Sequence, residues 1–229
     1  MSSSSRELGT GPLSLLALSV ARHALLALCL VLALLPALVA TFLLGSEVGN
    51  VGWVVMAQIP VVPALSAGLF AVRAWRRNDD AGVWREFWRG YRLNLRDTLR
   101  WWVPTLVAGS MLALAIAFAD SVPGGPLIRP VAAAIAVVLL LWSGQALLIS
   151  SFFAFRTRDV ARIAAAMLFQ QWRVTLVLVS LTVVAAAVMV IGSEVLLALL
   201  AWAFVSLLEV VARPLVEQVT AQFTQQPEA

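Results

Sequence analysis

The chain has 229 residues, of which 62% are apolar and only 12% charged, and its mean hydropathy is +0.94. Soluble domains carry about 45–50% apolar and about 25% charged residues, so a water-soluble enzyme and a disordered protein are both excluded. A single cysteine, Cys29, rules out an internal disulfide framework. What remains is an all-α, polytopic membrane bundle. All 16 basic residues are Arg, with no Lys, against 12 acids, giving a net charge of +4. So basic a chain can serve nucleic acid or an anionic membrane surface. The hydropathy selects the membrane and no nucleic acid, and the absence of Lys beside abundant Ala, Leu and Val points to a GC-rich bacterial genome.

A helical span needs roughly 20 apolar residues to cross about 30 Å of hydrocarbon. Six segments qualify: 24–44, 51–72, 101–119, 131–155, 174–193 and 195–212. Together they form one transmembrane domain over 24–212. It is preceded by a cytoplasmic segment 1–23, with 13–20 lying on the membrane surface, and followed by a polar tail 213–229. No small-residue cleavage site follows the first apolar run, so the first span is read as uncleaved. Gly45–Asn50, Asp120–Pro130 and Gly192–Glu194 are the short connections on one side. Fifteen of the sixteen Arg fall on the other side, leaving Arg129 alone opposite. The positive-inside rule then puts both termini in the cytoplasm of a multi-pass plasma-membrane protein.

Span two contains Pro60 and Pro63, each of which removes a backbone donor and breaks the helical ladder. The carbonyls this frees near Gln58 and Val62 need partners in lipid. A broken helix can line a substrate site, but with no charge beside these prolines a packing kink is the better reading. Ala64 and Gly68, just beyond, would admit a close neighbour. Pro36 and Pro104 read as kinks of the same kind.

The connection between spans two and three predicts a cytoplasmic amphipathic helix over 81–100, capped by Asp79 or Asp80. At about 100° per residue, Trp84, Phe87, Trp88, Tyr91, Leu95, Leu99 and Trp102 share one arc. Arg85, Arg89, Arg92, Arg96 and Arg100 line one flank of it. The aromatics, with Trp101, suit the headgroup boundary as interfacial anchors, and the guanidinium groups can reach anionic lipid phosphates. The other flank, Gly90, Asn94 and Thr98, is small and uncharged, so the helix is expected to wedge against the bundle with Arg outward. Such a row either anchors the helix and sets topology or docks an acidic protein partner. A second, weaker helix is expected over 158–172, with Val160, Ile163, Ala164 and Met167 on one face. The repeated order of span, Arg-rich turn, helix and span has the form of a parallel internal repeat.

Site chemistry is sparse. A single His, His23, rules out zinc motifs that need two histidines, and without Lys no Walker-type phosphate loop exists. No nucleophile elbow or Ser–His–acid set appears. Glu209 is the one acid near the interior of a span, with Arg213 as its expected partner one turn on. Gln58, Ser110, Ser143, Gln145, Ser180 and Thr182 can bond between helices. Cys29 reads as a small packing residue. The residues therefore predict no enzyme, no cofactor and no metal.

Three stretches carry a family likeness. IPVVPALSAGLFAVR closes span two and EFWRGYRLNLRDTLRWW leads into span three, while LLISSFFAFRTRDVARIAAAMLF follows span four. With the closing SEVLLALL, the chain from about Gly11 to Phe223 resembles the YesL-like bacterial membrane proteins, a domain of unknown function, in their Arg-rich actinobacterial form. The family often has Thr where this sequence has Pro63. The resemblance implies a small helical plasma-membrane protein without established activity, encoded near carbohydrate importers and glycoside hydrolases. The expectation is thus a non-enzymatic accessory or scaffold partner of an ABC-type sugar uptake system, its permease included. The alternative is a small-solute or sugar transporter in its own right, and a lipid-modifying enzyme comes last.

Overall fold

A computed structural model describes residues 12–45, 47–78, 80–121, 124–153, 155–191 and 194–223, with side chains over 16–212 apart from 190. These residues form eight α-helices and two short 3-10 turns, and there is no strand among them. Six helical segments are long and apolar enough to cross a bilayer.

The first helix, α1, is one piece from Pro12 to Leu44. No separate surface helix forms over 13–20, because nothing between Leu13 and Ala24 interrupts the backbone ladder. At 1.5 Å per residue α1 is about 50 Å long, well beyond the hydrocarbon thickness. Pro36 lies inside it.

Span two breaks where its prolines fall. The short α2 (Val51–Ala57) ends in a turn over 58–60, and α3 (Val61–Arg77) carries on beyond residue 72. Only Pro60 marks the break. Pro63 is the third residue of α3, a position whose N–H has no intrahelical acceptor in any case, so it costs the ladder nothing. Trp102 Nε1 donates to the Gln58 carbonyl at 3.2 Å, and Gln58 Nε2 reaches Thr41 Oγ1 at 3.2 Å and the Val54 carbonyl at 3.1 Å. The unwound turn is thereby satisfied inside the bundle, as a low-dielectric setting demands.

The greatest departure from the sequence reading is α4, which runs unbroken from Val83 to Ala117. The amphipathic helix and span three are one element, with Pro104 inside it. Gly82 is the N-cap, in extended conformation. Asp80 does not cap; its N–H bonds Asn78 Oδ1 at 3.1 Å, while Asp79 lies outside the described residues. After a turn that includes Gly124 (φ +88°), α5 spans Gly125–Phe152. The connection is shorter than 120–130, and Pro130 is helical. A Cβ on Gly125 would collide with the Ala119 carbonyl, so the turn closes too tightly for any side chain there.

α6 (Thr157–Gln170) buries Val160, Ile163, Ala164 and Met167, the face its periodicity predicts. Gln171 separates it from α7 (Trp172–Ile191). The two copies of the supposed repeat are therefore unlike: α4 fuses surface helix and span, whereas α6 and α7 stay separate. α8 extends from Glu194 to Phe223, past the expected boundary at 212. The turn residues 192–193 lie outside the described residues.

α3 is the central helix, touching α1, α4, α5 and α8. Its buried face is mostly small (Ala64, Ser66, Ala67, Gly68, Ala71), which lets backbones approach where no hydrophobic effect drives helices together. The Cβ that Gly68 lacks would lie 3.1 Å from Val205 of α8 and 3.5 Å from Leu30 of α1. Cys29 is buried beside this contact as a free thiol, packed as expected. The outward faces of α1, α5 and α7 carry exposed Leu, Val, Ile and Phe, the composition of a lipid-facing surface.

Candidate functional site: the arginine row of α4 and the seam behind it

Because α4 is a single rod, the position of its Arg row is fixed by how its opposite face packs. Val83, Phe87, Gly90, Thr98, Trp101 and Thr105 are buried, and with Asn94 they recur every three or four residues. Gly90 sits against Phe70, where an added Cβ would come within 2.7 Å of the Phe70 Cβ and 2.8 Å of its ring. Asn94 Nδ2 donates to Ser66 Oγ at 3.0 Å, and Ser151 Oγ donates to the same oxygen at 2.9 Å. The Thr98 hydroxyl turns back to the Asn94 carbonyl at 2.8 Å. A polar seam thus ties α4 to α3 and α5, with Ser66, fully buried, at its centre. The small flank packs on protein as its composition predicts.

This seam corrects the aromatic assignment. Phe87 is 0% and Trp101 3% exposed, so these two are core residues and not interfacial anchors. Trp88, Tyr91 and Trp102 are half-buried, and Trp84 at 49% exposure alone stands fully at the surface. Edge-to-face contacts link Trp84 to Trp88 at 5.8 Å and Trp88 to Tyr91 at 5.6 Å, a geometry that ring quadrupoles favour. The two misassigned aromatics carry their own signal: Phe87 and Trp101 fall on the Gly90–Asn94–Thr98 stripe, not beside it.

Arg85, Arg89, Arg92, Arg96 and Arg100 are all exposed. Glu86, nearly buried, holds Arg85 at 3.4 Å and Arg89 at 3.6 Å, and Asp97 holds Arg100 at 3.1 Å. Arg92 and Arg96 form no ion pair among the described residues. A shallow groove lined by Trp84, Arg85, Trp88, Arg89, Arg92 and Leu93 follows this face. Guanidinium forks beside indole rings can grip carboxylates or phosphates bidentately while the rings exclude water. The row is therefore a rigid cationic edge and not a loose fringe of side chains.

Elsewhere at the Arg-rich end, Glu209 of α8 is almost buried and pairs with Arg76 of α3 at 2.8 Å. The side chain of Arg213, its expected partner, lies outside the described residues. His23 meets the edges of Trp75 and Trp202 at 5.7 and 5.2 Å and bonds the Ser19 carbonyl at 2.7 Å. Among the described residues no three His, Cys, Asp or Glu side chains gather as metal ligands.

The helices that build this edge carry the family signature. Residues 48–116 match the model of a family described as "Protein of unknown function, DUF624". The match covers less than a third of the chain and marks a likeness of that segment to the family. It covers the 3-10 turn before α2, then α2, α3 and all but the last residue of α4. It is narrower than the likeness over 11–223 read from the sequence, and the YesL-like resemblance is consistent with it. No curated protein and no solved structure matches the chain. The DUF624 pattern therefore coincides with the Pro60 break, the Ser66 seam and the Arg row.

Proposed function

We propose that the protein is a non-enzymatic accessory component of a bacterial plasma membrane, docking an acidic face of a partner membrane protein on the Arg row of α4. The partner that the family resemblance implies is the permease of an ABC-type carbohydrate importer. One observation carries this reading: five exposed Arg on a helix whose other face is locked by Gly90 against Phe70 and Asn94 on Ser66. A helix that merely floats in the headgroups needs no such lock. A pre-fixed row lowers the ordering cost of association, and its charge speeds encounter and rejects wrong partners. In the topology that goes with this proposal the Arg-rich end and both termini face the cytoplasm.

A photoreactive amino acid at position 92 tests the proposal in intact cells. Capture of one membrane protein, lost when Arg89 and Arg96 are changed to Glu, is the expected outcome. Capture of anionic lipid alone would sink it. The transporter alternative has one observation in its favour, a cavity beside the Pro60 break. That cavity is walled mostly by aliphatic side chains, poor partners for a hydroxyl-rich sugar, so the docking reading is preferred.

A further inference from the structure

The same cavity supports a different ligand. It lies between α1, α3, α5, α7 and α8, and its volume is about 450 Å³, within the range of small-molecule sites. Leu34, Leu65, Leu147, Leu178, Leu181 and Leu208 run along its wall, which is mostly aliphatic. Its polar groups are few: Thr41, Gln58, Thr182 and Glu194. Gln58 spends its amide N–H on Thr41 and Val54, and Thr41 donates to the Ala37 carbonyl at 2.9 Å. Gln58 and Thr41 have thus spent their donors, and the Glu194 carboxylate is the one charged group on the lining among the described residues. Among the described residues no basic side chain lines the cavity.

We infer that this cavity binds a single-chain amphiphile with a protonated amine head, its chain along the leucine wall and its ammonium group at Glu194. Charge complementarity supports the assignment. Glu194 makes no ion pair among the described residues. Around it, the Arg-poor end of the molecule carries Glu47 and Asp120 against Arg129 alone, and Arg129 is already held by Asp120 at 2.7 Å. A carboxylate head would meet repulsion there, and a neutral alcohol would forgo the ion pair. Volume sets the chain count. At about 450 Å³ the cavity suits one alkyl chain, whose end can reach the bilayer through the open side. Entry from the bilayer is open, since Leu38, Ala185, Leu197 and Phe204 of the lining are half-exposed.

Glu194 lies at the opposite end from the Arg row and no residue of that row lines the cavity, so the inference does not rest on the docking proposal, and crosslinking at position 92 should be unaffected by its occupancy. The test uses the full chain in phosphatidylcholine nanodiscs and a hexadecylamine that carries a mid-chain diazirine. Saturable labelling confined to the cavity-lining helices α1, α3, α5, α7 and α8 is expected, displaced by hexadecylamine at concentrations about tenfold lower than by hexadecanol, and not by palmitic acid. Glu194→Gln should erase the tenfold preference, Glu194→Asp should keep it, and Ala185→Phe should abolish labelling by filling the space. Helical circular dichroism and size-exclusion profiles check that each variant is folded. If Glu194→Gln unfolds, the Glu194→Asp and Ala185→Phe results still decide. Equal displacement by the alcohol or the acid, non-saturable labelling, or labelling that survives Ala185→Phe would overturn the inference.

Discussion

A methyl group at position 90 has nowhere to go. The Cβ of Gly90→Ala would fall 2.7–2.8 Å from Phe70 Cβ, Cγ and Cδ1, and the first of these cannot rotate away. Overpacking of this kind costs about 1–3 kcal/mol, against about 1 kcal/mol gained in helix propensity. A net loss of about 1 kcal/mol in a detergent unfolding series is therefore expected. Gly109→Ala is the control, because its Cβ would meet Val55 at an ordinary 3.5 Å, and it should cost nothing. Glu209 teaches a related lesson. A nearly buried carboxylate left alone is far costlier than a surface one, yet the near-neighbour rule points to Arg213 on its own helix. Arg76 also pairs with it at 2.8 Å, a contact that only the approach of α3 to α8 could supply.

At the scale of the element, α4 behaves as a lever whose Arg-rich arm and apolar arm share one axis. Charge and hydropathy change abruptly near Trp101, which is why the sequence divides there into two helices. No helix breaker accompanies that change: Pro104 is absorbed, and Thr98 and Thr105 bond back into the same helix at 2.8 Å each. Spin labels at Trp84→Cys and Met111→Cys, both exposed sites, test the continuity, since buried Cys29 stays out of reach of the label. For 27 residues of unbroken helix a narrow distance distribution near about 40 Å is expected by pulsed dipolar spectroscopy. A broad or much shorter distribution would place a hinge at Trp101. The break in span two, by contrast, is legible because Pro60 removes a donor whatever surrounds it. What the turn does with its free carbonyl depends on Trp102, which the fold alone delivers.

For the molecule as a whole, charge is split between its two ends. All the described Arg except Arg129 gather at one end, where Trp75, Phe87, Trp101 and Met167 are buried together in the core. The other end is slightly acidic. The proposed orientation predicts that Leu127→Cys, 75% exposed, reacts with an impermeant maleimide in intact spheroplasts, while Arg92→Cys reacts only after lysis. The reverse pattern would invert the topology and remove the Arg row from the compartment that the docking proposal needs. Six spans could be read from hydropathy, because lipid penalises every interruption of an apolar run, but the starts of the first and third could not, since their helices continue into more polar sequence. The cavity could not, since its walls come from five helices and no local pattern marks them.

The sequence by itself determined the membrane habit, the helical class, the asymmetry of charge and the break at Pro60. Each of these is fixed by local chemistry: transfer of apolar side chains, retention of guanidinium groups in water, and a missing N–H. The tertiary structure decided which aromatics are core and which reach the surface, that Arg76 of α3 reaches Glu209, and where a ligand-sized space remains. Those are properties of pairs and groups of helices, and whether Phe87 faces lipid or protein is settled only when Gly90 lets Phe70 lie against the same stripe.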